Sequence, residues 1–167
     1  MISATVLATS ESSNPQAREG TGIDEFTLPV LLMLGLWMVG LVRTAGVSDD
    51  AYIRFRTVDN FLAGYGLRWN VGERVQSYTH PLWMFLVSAA TATLRGPYCA
   101  SLAWSFVCTL STLALYARRI ASSVRMAMVG LTILLFSQAF VDFSTSGLEN
   151  PLLHLLLVVF VLKYWSV

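Results

Sequence analysis

Between Phe26 and Val42 the chain carries no charged side chain, and the same is true of Pro81–Leu94, Gly96–Ala117, Met126–Val141 and Pro151–Leu162. These apolar runs constrain the fold more than any other feature. In lipid every backbone N–H and C=O must be paired within a helix or a closed barrel. The runs are continuous rather than alternating, so they predict an all-α, polytopic transmembrane helix bundle with at most two short strands. Only 13% of the 167 residues are charged and 55% are hydrophobic, against about 25% charged in a soluble domain.

A crossing helix needs about 20 residues to span about 30 Å of hydrocarbon. Residues 26–47 supply a first span, with Pro29 in its opening turns, where a missing N–H costs little. Of the later stretches, Gly96–Ala117 and Met126–Val141 read as spans. Pro81–Leu94 has 14 residues, about 21 Å of helix, which is short. Residues 1–25, with Ser10, Ser12, Ser13, Asn14, Pro15, Gly20 and Gly22, offer no core-forming pattern and read as a disordered tail. A signal peptide fits poorly, because the first apolar run starts late and lacks a basic flank. Cys99 and Cys108 lie nine apart in an apolar run, as small packing residues rather than metal ligands.

The polar chemistry is concentrated in residues 48–80. Ser48 is placed to N-cap a helix, with Asp49 and Asp50 in its first turn, favourable to the macrodipole. Ala51, Phe55, Val58 and Leu62 recur at helical spacing and would lie on the membrane surface. Asp50 and Arg54 are spaced for an i,i+4 pair. Gly64 and Gly66 end the helix, and Asn70-Val71-Gly72-Glu73 reads as a turn. The plainer reading is a capped interfacial helix with solvated charges. The whole loop says more: it sets Asp49, Asp50, Arg43, Arg54, Arg56, Arg68, Arg74, Trp69, Tyr78 and His80 between two membrane segments. A carboxylate there can take a proton from an acceptor hydroxyl. Arginines can hold a departing phosphate, and aromatics can stack on a sugar or anchor at the interface.

The series Asp49-Asp50-Ala51-Tyr52-Ile53, Arg56, Asn60, Gly64-Tyr65-Gly66-Leu67, Asn70, Gly72-Glu73-Arg74-Val75 and Tyr78-Thr79-His80-Pro81-Leu82-Trp83 resembles the first extracytoplasmic loop of one family. These are the actinobacterial membrane arabinofuranosyltransferases that add terminal β-1,2-arabinofuranose to arabinan. Wider bacterial relatives and the C-type glycosyltransferase superfamily are similar. Thr145-Ser146-Gly147-Leu148-Glu149-Asn150-Pro151-Leu152 is similar to the family's second acidic loop. The pattern departs at Gln76-Ser77, where the family more often has Glu-Gly. Family members are several times longer, so the chain reads as an N-terminal piece with little activity alone.

The resemblance implies a membrane glycosyltransferase that moves a sugar, arabinofuranose by likeness, from a polyprenyl-phosphate donor to a cell-envelope glycan acceptor with inversion. Membrane lipid is then a partner and nucleic acid is not. Asp49 or Asp50 would be the catalytic base, Asp49 being favoured. Arg54, Arg56, Asn60, Arg74, Tyr78, His80 and Glu149 would bind substrate. No metal-ligand residues are assigned, and a divalent cation, which Glu149 would help position, is left open. The second reading is a non-catalytic membrane remnant, or an envelope or motility assembly factor, that keeps the acidic loop. His154, inside an apolar run, reads as a packed histidine.

The basic residues test orientation. With a cytoplasmic N-terminus and every stretch crossing, only Arg18 and Arg95 lie inside. With the N-terminus outside, the rule is satisfied nine to two, but the acidic loop becomes cytoplasmic. If Pro81–Leu94 dips without crossing, Arg18, Arg118, Arg119, Arg125 and Lys163 lie inside and the five loop arginines outside. That version, in the plasma membrane with residues 48–80 extracytoplasmic, is the one expected.

Overall fold

The computed structural model describes residues 26–73, 75–94 and 96–165. The tail expected over residues 1–25 and the site candidate Arg74 lie outside the described residues. The described chain is helical, with no strand. The helices are α1 (Thr27–Thr44), α2 (Asp49–Leu62), α3 (Pro81–Thr91), α4 (Pro97–Leu115), α5 (Val124–Phe136), α6 (Gln138–Thr145) and α7 (Asn150–Trp165). A wider turn, Tyr116–Ile120, continues α4. Among the described residues two helices, Thr27–Thr44 and Pro97–Ile120, are long and apolar enough to cross a membrane, or three spans result if α5 and α6 are one.

In α1 the buried residues Val30, Met33, Trp37 and Leu41 recur on one face, while Leu32, Leu36 and Val42 remain exposed on the others. That is the pattern of a helix with protein on one side and lipid on the rest. Trp37 is fully buried. Its indole N–H donates to the Leu131 carbonyl at 3.2 Å, and Phe140 meets its ring edge-on at 5.4 Å. Leu113, Ala117, Ala127 and Leu131 complete this first core. The second core joins Val58, Trp83, Met84, Val87 and Ala100. Helix α4 runs from one core to the other. Its buried face carries Ser101, Ser105, Thr109 and Thr112, small residues that let neighbouring helices approach closely.

The stretch Met126–Val141 is not the straight span its hydropathy suggests. The chain breaks at Ser137, and α5 and α6 meet at 75°. Ser137 takes an extended backbone conformation, and its hydroxyl accepts the Phe140 N–H at 3.4 Å. A serine that caps a new helix this way competes with continuing the old one.

Helix α2 forms where expected, but its apolar stripe faces a different partner. Ala51, Phe55 and Val58 are buried by protein, not presented to a membrane surface, and Leu62 stays 45% exposed. Ala51 and Phe55 lie against Gly147 of the 145–149 loop, and Val58 joins the second core. A Cβ on Gly147 would sit 2.9 Å from Val47 Cγ1 and 3.0 Å from Ala51 Cβ. Ser48 also departs from expectation: it stands at the N-cap position, yet its hydroxyl makes no capping bond. Its backbone N–H donates instead to the Ser146 carbonyl at 2.9 Å. The C-terminus follows the glycine signal. Gly64 has φ +83°, and Tyr65 N–H reaches Asn60 C=O at 2.9 Å while Gly64 N–H reaches Phe61 C=O at 3.1 Å. This pair of bonds satisfies carbonyls the helix end would leave open.

Candidate functional site

Three segments distant in sequence converge beside α2. Arg54 projects from the middle of α2, and its Nη1 bonds Glu149 Oε2. Its Nη2 donates to Thr79 Oγ1 at 3.3 Å. The other carboxylate oxygen, Glu149 Oε1, lies 2.8 Å from His80 Nε2. The side chains of Arg54 and Glu149 are only 13% and 17% exposed, whereas His80 is 53% exposed. Burial tends to raise the Glu149 pKa, but the hydrogen bond and charge of Arg54, aided by His80, outweigh it and hold the carboxyl below its ordinary value. Glu149 is therefore ionised at neutral pH and already committed to two partners. That suits an anchor and not a proton acceptor.

The frame of this cluster is fixed by backbone. Trp83 is buried at the start of α3, and its indole N–H donates to Gly147 C=O at 3.0 Å. Gly147 has φ +77°, which favours glycine. With the Ser48–Ser146 bond, these contacts seat the 145–149 loop between the start of α2 and the start of α3.

Asp49 and Asp50 stand exposed in the first turn of α2. Among the described residues neither makes an ion pair. The pair expected between Asp50 and Arg54 does not form, because Arg54 is taken by Glu149. Without it the geometry treats the two acids alike.

The other sequence candidates hold the loop. Asn60 Nδ2 donates to the carbonyls of Arg68 and Trp69 at 2.9 and 2.8 Å. Arg56 Nε donates to Trp69 C=O at 3.2 Å, with its guanidinium 4.9 Å from the Trp69 ring centre. Tyr78 packs against the second core. Ser77 Oγ, at the second position of the departure at Gln76-Ser77, shares a 2.5 Å hydrogen bond with the buried Thr57 Oγ1. Thr57, Thr79 and Gly147 are part of this architecture without having been site candidates. Thr79 and Gly147 lay inside the motifs that carry the resemblance but had no role assigned, and Thr57 gave no signal. Among the described residues no three His, Cys, Asp or Glu side chains are grouped to hold a metal.

Below the cluster lies a cleft of about 130 Å3 lined by His80, Pro81, Leu82, Trp83, Glu149, Leu152, Leu153 and Leu156. Its polar end is the charged cluster and its walls are apolar residues of α3 and α7.

These features define a helical membrane protein with a charged site at the mouth of an apolar cleft. No family model and no solved structure matches the chain. Among curated proteins it is 33% identical over 155 residues, 84% of its length, to the "Terminal beta-(1->2)-arabinofuranosyltransferase" of Corynebacterium glutamicum. It is 34% identical over 134 residues, 72% of its length, to the Mycobacterium tuberculosis protein of the same name. The protein is a relative of these arabinofuranosyltransferases, as its loop motifs indicated, and it spans about a fifth of their length.

Proposed function

We propose that this chain is the donor-site portion of a membrane glycosyltransferase that moves arabinofuranose from a polyprenyl-phosphate carrier to an envelope glycan. One observation carries the reading: a half-buried Arg54–Glu149 pair, with the exposed His80 beside it, at the mouth of an apolar cleft between α3 and α7. An amphiphile with an anionic head and a hydrocarbon tail needs that combination. His80 and the N–H groups Arg54 does not spend on Glu149 and Thr79 would meet the phosphate, and Leu152, Leu153 and Leu156 the first isoprene units. With Glu149 held ionised by two partners, the general base falls to Asp49 or Asp50, which are unpaired and face solvent, where an acceptor hydroxyl arrives. A single base and a departing phosphate on the opposite side fit displacement with inversion. Comparing the anomeric configuration of product and donor tests that step.

In the proposed organisation residues 26–47 cross, residues 48–80 form the extracytoplasmic loop, and residues 81–167 are further membrane helices. The contact between Arg54 and Glu149 supports it, because both loops must then lie on one side. An even number of crossings is needed between them. Helix α3 has 11 residues, about 16 Å, too short to cross. Helix α4 with its wider turn, and α5 with α6, then supply the two crossings. Arrangements in which every apolar stretch crosses put the loops on opposite sides.

The test is a photoactivatable polyprenyl phosphate in nanodiscs containing the protein. Labelling should concentrate on Leu152 and Leu156 and fall when Arg54 is changed to Gln. Labelling spread evenly over the exposed faces of α1 and α7, and indifferent to Arg54, would sink the proposal.

A further inference from the structure

A second concavity lies in the 64–78 segment, outside the charged cluster. It measures about 470 Å3 and is lined by Gly66, Leu67, Arg68, Val75, Gln76 and Tyr78. That is within the ~300–1,000 Å3 of small-molecule sites. We infer that this pocket is a glycan-binding subsite, which takes a neutral sugar residue of the acceptor away from the reacting hydroxyl. The inference rests on the proposed transferase reading and names where its acceptor is gripped.

The wall chemistry argues for a neutral sugar. Leu67 and Val75 offer apolar surface to the C–H face of a ring. Arg68, Gln76 and the Tyr78 phenol offer donors and acceptors to hydroxyls. Among the described wall residues only Arg68 is charged, and its guanidinium already donates to Val71 C=O at 3.0 Å. Its walls are held before any ligand arrives. Gly66 turns the chain at φ +85°, Asn60 clamps the Arg68 and Trp69 carbonyls, and Gln76 Nε2 donates to Tyr78 C=O at 3.0 Å. A wall so fixed loses little entropy on binding. Its position also fits. Tyr78 ends the pocket, and two residues on His80 touches Glu149, so one bound glycan could reach from the pocket towards the charged cluster.

Ligand-observed saturation-transfer NMR, with the whole chain in nanodiscs and a synthetic arabinofuranose oligosaccharide as probe, tests this. Val75 is 57% exposed, so Val75→Trp fills the pocket without disturbing a core. It should weaken oligosaccharide binding about tenfold or more, and Gln76→Ala by a smaller factor. Polyprenyl-phosphate labelling should be unchanged in both. Oligosaccharide binding that is absent, indifferent to Val75→Trp, or displaced by millimolar inorganic phosphate overturns the pocket. Lipid-phosphate labelling that survives those results leaves the donor-site reading standing, so the two fail separately.

Discussion

Replacing Glu149 by Gln removes one charge from a pair that is mostly out of water. Fully exposed pairs contribute about 0–1 kcal/mol, whereas removing one partner of a fully buried pair costs about 3–5 kcal/mol. At 13% and 17% exposure, the Arg54–Glu149 pair lies nearer the buried limit. The Gln amide keeps one acceptor oxygen, which serves Arg54 or His80 but not both, and it leaves the Arg54 charge without its counter-ion. We expect Glu149→Gln to destabilise the chain by about 2–3 kcal/mol. Arg54→Gln should cost a similar amount by stranding the carboxylate. The double variant should cost less than the sum of the singles, because neither charge is then stranded. The assay is unfolding in mixed micelles at increasing denaturing-detergent fraction, followed by tryptophan fluorescence, for the parent, both singles and the double. Additive effects, or singles within about 0.5 kcal/mol of the parent, would refute the claim that this pair pins the two loops together.

Because Glu149 titrates below its ordinary value when folded, its contribution is fully present above about pH 4.3 and is lost as pH falls through the lowered value. The parent should lose stability on acidification over that window, and Glu149→Gln should lose less. Asp49→Asn and Asp50→Asn should leave the unfolding midpoint unchanged, since both acids are exposed. In a full-length enzyme carrying this segment, assayed with a polyprenyl-phosphate arabinose donor, the Asn variant of the acid that is the base should turn over at least ~100-fold more slowly; full activity in both variants would remove the base assignment. Gly147→Ala should destabilise by about 1–3 kcal/mol, because it meets Val47 and Ala51 in a left-handed conformation. A variant as stable as the parent would mean the loop shifts freely.

What could be read from sequence was local. The end of α2 follows from Gly64 alone, since only the residue that takes positive φ without cost allows the Tyr65 and Gly64 N–H groups to fold back on Asn60 and Phe61. The turn at 70–73 follows from its Asn and Gly, and Glu73 N–H bonds Asn70 C=O as such a turn requires. The break at Ser137 was hidden because hydropathy runs smoothly through it, and one hydroxyl turning to Phe140 decides the matter. The stripe on α2 was legible as apolar, but periodicity does not say whether lipid or protein covers it. Arg54 had a near acid at Asp50 and chose one 95 residues away. Nothing in the spacing signals that preference; it exists only once the fold brings Glu149 and Thr79 to the Arg54 guanidinium.

That long-range contact sets a timetable. The Arg54 side chain is made 95 residues before Glu149, and synthesis at roughly 5–20 residues per second separates them by about 5–20 s. For that interval the first loop has left the ribosome without the acid that fixes its arginine, and Trp83 is waiting for the Gly147 carbonyl. The site is thus assembled late, when α7 begins to emerge, and closure of the latch reports that the intervening helices have been threaded in the right order.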